Sequence, residues 1–316
     1  MRNASLDLLK VGCAVAIFLL HIGFLKNHLP FFSFLINQGL FRVAVPIFAM
    51  ITGYFFFKTK DSSRLKEWMI RVFILYIFWM LLYSPFWISS DLKSNIINIS
   101  TGYFILWYLI NLIPAGFLLY LINKKPALNK WGIAAVLYLI GYVIQTLGRV
   151  HDYHGFLGWL FNFDPAYRNF LFDLLPLMLI GSKLQEKESQ RANIKPGILL
   201  VLLSLLLVAL ESAFNYIWMD HEKGYDLLIT IPFACSMLFL YFKNNITITI
   251  KSSHDVLSKL ATAIFVTQVA AFDISYLIMD YGNRFIHIPL IVYATTMTAF
   301  FSLIVILLQK KLKFIL

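Results

Sequence analysis

His21 and Lys10 stand eleven residues apart in an otherwise apolar N-terminal stretch. On an α-helix that separation is about 16 Å, so a Lys10 held at a membrane surface puts His21 near the middle of the bilayer. Imidazole, with an unperturbed pKa of about 6.5, takes and returns a proton around neutrality, which is the chemistry of a general base. A histidine at that depth also packs helices when hydrogen-bonded to a neighbour. The residues alone leave both readings open.

Arg42 is a second charge inside an apolar run. It cannot lose its proton, so it must face a carboxylate, a bound anion or a water-filled cavity. Glu211 and Asp7 are the acids that could neutralise it. Glu211 and Asp173 sit in apolar runs of their own, where they serve an acceptor or a stabilising pair. Lys58, Lys60, Arg64, Lys66 and Arg71 form a compact basic patch. Such a patch suits donor phosphates through charge-assisted bonds, or anionic lipid as an orientation signal. No glycine-rich nucleotide loop, zinc ligand set or serine-hydrolase elbow is present, and His151-Asp-Tyr-His154 is too loose for a metal.

The elements that must position these groups are apolar helices. Of the 316 residues 60% are hydrophobic and 14% charged, and the mean hydropathy is +0.75. A soluble globule of that composition could not cover itself with polar groups. Apolar runs long enough to cross a membrane recur along the chain. They predict an all-α, polytopic membrane bundle with helices over 5–25, 35–57, 69–90, 102–122, 131–148, 169–182, 197–219, 226–243, 258–279 and 288–308. A single domain spans 1–316, and residues 5–25 read as a retained first helix rather than a cleaved leader. Cys13 and Cys235 lie inside apolar runs and read as packing residues.

The formal charge of +11 does not point to nucleic acid, because the basic residues fall in short gaps between the runs. Sorted by gap, twenty of the 27 Lys and Arg lie on one side and six on the other, with Arg42 between. The positive-inside rule makes both termini cytoplasmic, which requires an even number of spans and favours ten. The longest gap on the other side, 149–168, carries His151, Asp152, His154, Trp159 and Asp164 and is expected to cap the bundle.

Several stretches resemble one family in order and spacing. Ser5-Leu-Asp7-Leu-Leu-Lys10 followed by Leu20-His21 resembles the first helix of the bacterial acyltransferase family 3 membrane proteins. Arg42-Val-Ala-Val-Pro46-Ile-Phe48-Ala-Met-Ile-Thr52-Gly53-Tyr54 resembles that family's proline, aromatic and Ser-Gly-Tyr segment. Leu106-Trp107-Tyr108-Leu109 resembles its Leu-Trp-Phe-Leu element, and Phe172-Asp173 through Gly181 its later segment ending in Leu-Gly.

The resemblance implies an O-acyltransferase of the bacterial cytoplasmic membrane. It would move an acyl group, often acetyl, from acetyl-CoA or another acyl-CoA to a hydroxyl of a surface or undecaprenyl-linked glycan. It gives His21 the proton transfer, Lys10 and Arg71 the coenzyme A phosphates, and makes Thr52, Tyr54 and Trp107 motif residues. The chain departs from the pattern at four places: Lys10 and Trp68 replace arginines, Thr52 a serine, and Gln268 a histidine. Relatives often carry an extracytoplasmic esterase-like domain, so a separate partner is expected to supply one. The competing expectation is a polysaccharide or lipid-glycan exporter of the same shape.

Overall fold

The computed structural model describes residues 4–56, 61–190, 194–248, 255–282, 289–309, 311–312 and 315–316. Lys58 and Lys60 of the basic patch, and Arg2, Arg191, Lys251, Arg284, Lys310 and Lys313 of the charge asymmetry, lie outside the described residues.

The described chain is helical throughout. In order it forms α1 (Ser5–Ile22), α2 (Pro30–Asn37), α3 (Ala44–Phe56), α4 (Ser62–Leu82), α5 (Ser84–Trp87), α6 (Leu92–Thr101) and α7 (Trp107–Asn123). There follow α8 (Lys130–Val150), α9 (Gly155–Asn162), α10 (Leu175–Ser189), α11 (Ile198–Trp218), α12 (Ile231–Asn244), α13 (Asp255–Gly282) and α14 (Leu290–Leu308). Among the described residues, seven helical stretches are long and apolar enough to cross a membrane, the second of them running from Pro30 to Phe56. A multi-pass membrane protein is the result.

The packing is inverted relative to a soluble bundle. Along α11 the buried positions are Val201, Ser204, Val208, Ser212 and Asn215, while Leu199, Leu202, Leu206 and Leu210 are exposed. Small and polar residues face the protein and leucines face outward, as expected where the solvent is lipid. The bundle centres on α3 against α10, with α1 against α13 beside it. The α3–α10 crossing depends on two glycines. A Cβ on Gly53 would lie 2.0 Å from the Met178 carbonyl oxygen, and one on Gly181 2.1 Å from that of Met50. The two backbones touch because neither residue has a side chain.

Four helices differ from the sequence reading in ways that matter for function. Helix α1 stops at Ile22, not 25, because Gly23 adopts a left-handed φ of +68° and its N–H caps Leu19 and Leu20. The expected helix over 35–57 is broken: α2 ends at Asn37, and a 3-10 turn over Leu40–Val43 carries Arg42 into α3. The break lies at Gly39, where a Cβ would meet the Leu35 carbonyl oxygen at 2.4 Å. The helix expected over 69–90 is Ser62–Leu82, started by Asp61, whose carboxyl accepts from the Ser63 N–H at 3.1 Å. Hydrogen bonds from Ser63 hold the Asp61 carboxyl below the usual range. Finally, 226–243 becomes helical only at Ile231, with Pro232 in its first turn.

Residues 224–230, before α12, are non-helical yet contain buried Tyr225, Leu227 and Leu228. Irregular backbone inside a membrane protein must find its hydrogen bonds from other parts of the protein. Here side chains provide them. Gln145 of α8 donates to the Leu227 carbonyl at 2.7 Å and accepts from the N–H groups of Asp226 and Leu227 at 2.8 and 2.9 Å. Arg149 Nε donates to the Gly224 carbonyl at 3.0 Å and Tyr138 to that of Leu228 at 2.8 Å.

Candidate functional site

His21 occupies the last turn of α1. Among the described residues its imidazole makes no hydrogen bond, and its ring neighbours are aromatic. Its ring stands 4.6 Å from that of Phe104 and 6.5 Å from that of Phe272. Phe104 is held at φ +50°, a left-handed conformation that a bulky L-residue adopts at a cost and that concentrates at functional positions. The charges whose fields reach His21 are Arg42, Arg168 and Asp226.

Those three charges belong to one assembly. Arg42 pairs with Asp226 through Nη1 and Oδ1, and not with Glu211 or Asp7, the partners expected from sequence. Its Nε and Nη2 also bond Gln38 Oε1 at 3.1 and 2.5 Å. The other Asp226 oxygen lies 3.6 Å from Arg168, which lies 3.7 Å from Asp164. Arg149 is 3.6 Å from Asp164 and bonds the Tyr167 hydroxyl at 2.6 Å. Arg149 and Arg168, expected as loop charges, are therefore parts of the interior. Asp173 is 3% exposed and its Oδ1 has no partner among the described residues.

Two of the cavities are lined by residues expected from sequence. One, of about 420 Å³, has Lys10, Thr52, Trp68, Tyr108, Ser258 and Thr262 in its largely apolar wall. The other, of about 280 Å³, is bordered by Ser100, Thr101, Trp107, Asn111, Arg168 and Asn169. His21 borders neither. Lys10, 3.4 Å from Asp7, stands over the first cavity as expected for a donor contact. Arg71 is exposed and not in its wall, although it lies on the α4 stripe between Trp68 and Leu75, which are.

The remaining expected residues divide. Thr52 lines the first cavity beside Tyr108, its hydroxyl donating to the Phe48 carbonyl at 2.9 Å. Trp107 lines the second, with the Arg168 guanidinium 5.2 Å above its ring. Tyr54 lies elsewhere, bonded to Glu188, which also pairs with Lys243 at 2.5 Å. Glu211 is taken up by capping α12: it accepts from the N–H groups of Ile229 and Thr230 at 2.7 and 2.9 Å. Those bonds hold the buried segment against α11. Gln268 is fully buried and its Nε2 bonds the Phe265 carbonyl at 3.0 Å. Asp226, Arg168 and Gln145 were not singled out from sequence; only the Gly224 to Pro232 interval, with Asp226 inside an apolar run, hinted at them.

The described residues form an all-helical bundle with several stretches able to cross a membrane. Residues 3–309 match the model of the acyltransferase 3 family, described as an acyltransferase domain. The chain belongs to this family. It is also similar to a "Serine/alanine racemase" of Enterococcus gallinarum, 27% identical over 262 residues, covering 76% of this chain and 37% of that protein. A second relative, an "Amino-acid racemase" of Enterococcus faecalis, is 31% identical over 106 residues, covering 30% of this chain and 15% of that protein. The chain thus spans well under half the length of these curated relatives. No solved structure matches it.

Proposed function

We propose that the protein is a membrane O-acyltransferase that takes an acyl group, most simply acetyl, from cytoplasmic acyl-CoA. It delivers the group to a hydroxyl of a cell-surface or undecaprenyl-linked glycan, with His21 as general base. The observation that carries this reading is the family match over 3–309, joined to an imidazole at the end of α1 that makes no hydrogen bond among the described residues. The bundle sits in a bacterial cytoplasmic membrane with ten spans and both termini cytoplasmic; α4, α10 and α12 add three spans to the seven most apolar stretches.

In this reading the cavity beside Lys10 receives the donor from the cytoplasm. Its apolar wall suits the acyl and thioester portion, Lys10 a phosphate at the mouth, and Arg71 the exposed rim. The acceptor approaches from the Arg168 end. The acceptor oxygen attacks the thioester carbonyl carbon while His21 takes its proton. The C–S bond then breaks, coenzyme A leaves as thiolate, and the imidazolium returns the proton to it. The new bond is an ester. A separate extracytoplasmic protein completes transfer where the final acceptor lies beyond reach of the bundle.

The test is transfer of labelled acetyl from acetyl-CoA into membrane or surface glycan, comparing wild type with a deletion strain by mass spectrometry. Loss of one acetyl substituent in the deletion supports the reading. The alternative is a polysaccharide or lipid-glycan exporter without acyltransferase activity. Export of glycan with no label incorporated and no effect of changing His21 would favour it.

A further inference from the structure

Three arginines and two aspartates alternate through the Arg168 end of the bundle in the order Arg42, Asp226, Arg168, Asp164, Arg149. The run of pairs holds three positive and two negative groups, and the buried Asp173 adds a third carboxyl whose field reaches Arg168 and Arg42. The two terminal arginines are engaged by hydrogen bonds, Arg42 with Gln38 and Arg149 with Gly224 and Tyr167. The central one is not. Both carboxylates approach Arg168 only at 3.6 and 3.7 Å, beyond hydrogen-bond length. Among the described residues its guanidinium makes no hydrogen bond, although 26% of its side chain is exposed.

A guanidinium keeps its charge and carries five donors in a planar fork. Left without acceptors in a partly buried position, it is costly. Arg168 borders the 280 Å³ cavity and is the one charged residue among those lining it. The cavity's other polar groups are already committed. Asn111 donates to the Trp107 carbonyl and accepts from the Phe170 N–H. Asn169 caps the π-turn before α10, and the hydroxyls of Ser100 and Thr101 donate to the Ile97 carbonyl. The Arg168 donors facing this cavity suit a ligand that brings hydrogen-bond acceptors.

We propose that this cavity is a carboxylate subsite, in which a small hydroxy acid or acidic sugar lays its carboxylate across the Arg168 fork. A carboxylate matches the fork bidentately. Naming it the acceptor subsite rests on the acyltransferase reading; the binding itself does not.

The experiment is equilibrium binding of radiolabelled glucuronate to the full chain in nanodiscs, with glucose and glucose 1-phosphate as competitors and no acyl donor present. Saturable binding is expected, displaced by neither neutral glucose nor, at equal concentration, glucose 1-phosphate. Arg168→Gln should weaken it about ten-fold or more, the scale of a lost charge-assisted pair. Ser100→Trp, at the exposed rim and outside the ion-pair chain, should block the cavity and guards against misfolding of the first variant. No saturable binding at millimolar concentration, equal competition by glucose, tighter binding of the phosphate, or full binding by both variants would each overturn the proposal. Absence of binding alongside intact acetyl transfer would remove the subsite and leave the enzyme reading standing.

Discussion

Trp107 and Tyr108 are neighbours in sequence that border different cavities: Trp107 the one beside Arg168, Tyr108 the one beside Lys10. The start of α7 is therefore the partition between the two spaces. Thr52 and Tyr108 line one cavity together, and the Arg168 guanidinium stands 5.2 Å above the Trp107 ring in the other.

The donor side of that wall gives a direct expectation. Lys10→Ala should weaken acyl-CoA binding about ten-fold, whereas Lys10→Arg should retain most of it, since both cations bond phosphate oxygens. Arg71→Ala, at an exposed position, should have the smaller effect. Titration of purified variants with coenzyme A checks this, and equal affinity in wild type and Lys10→Ala removes Lys10 from the site.

The buried segment before α12 should depend on Gln145. Gln145→Leu strips three hydrogen bonds from the backbone of Asp226 and Leu227. Buried amide groups left unpaired cost about 1–3 kcal/mol each. A melting temperature several degrees lower in detergent is expected, together with loosening of the Arg42–Asp226 pair. A variant that melts with wild type would show that other groups support the segment.

Two glycines make a matched comparison. Gly53→Ala would place a Cβ 2.0 Å from Met178, against backbone that cannot yield, whereas a Cβ on Gly12 meets nothing within 4 Å. Gly53→Ala should cripple folded yield. Gly12→Ala, inside α1, should be neutral or stabilising by up to about 1 kcal/mol. Yield and thermal unfolding of the two proteins decide it.

The sequence reading found what is local and periodic. The eleven-residue interval from Lys10 to His21 and the apolar runs follow from spacing along one helix, and the structure carries both. Long-range pairings were hidden. Arg42 and Asp226 are 184 residues apart, and no helical period joins them. The stretch from Asp226 looked helical because an apolar run does not distinguish a buried extended segment from a helix. Its true start was marked only by Pro232. Glu211 read as serving an acceptor or a stabilising pair, and its bonds to the Ile229 and Thr230 N–H groups were hidden because they depend on that same break.

Orientation can be read without any substrate. Reporter fusions after Asn27, Ser189 and Leu316 should report the outer side, the cytoplasm and the cytoplasm. A reporter placed outside after Leu316 would contradict the ten-span arrangement and the direction of transfer with it.

The central claim is that His21 moves the proton, and the measurement is the rate of acetyl transfer by His21→Asn beside wild type at equal membrane abundance. Asparagine keeps a polar amide of similar reach but cannot accept a proton at neutral pH. General bases contribute about 10² to 10⁴ in rate, so transfer should fall by that order while coenzyme A binding and the melting temperature stay near wild type. A His21→Asn protein that inserts normally and acylates at close to the wild-type rate would contradict the account.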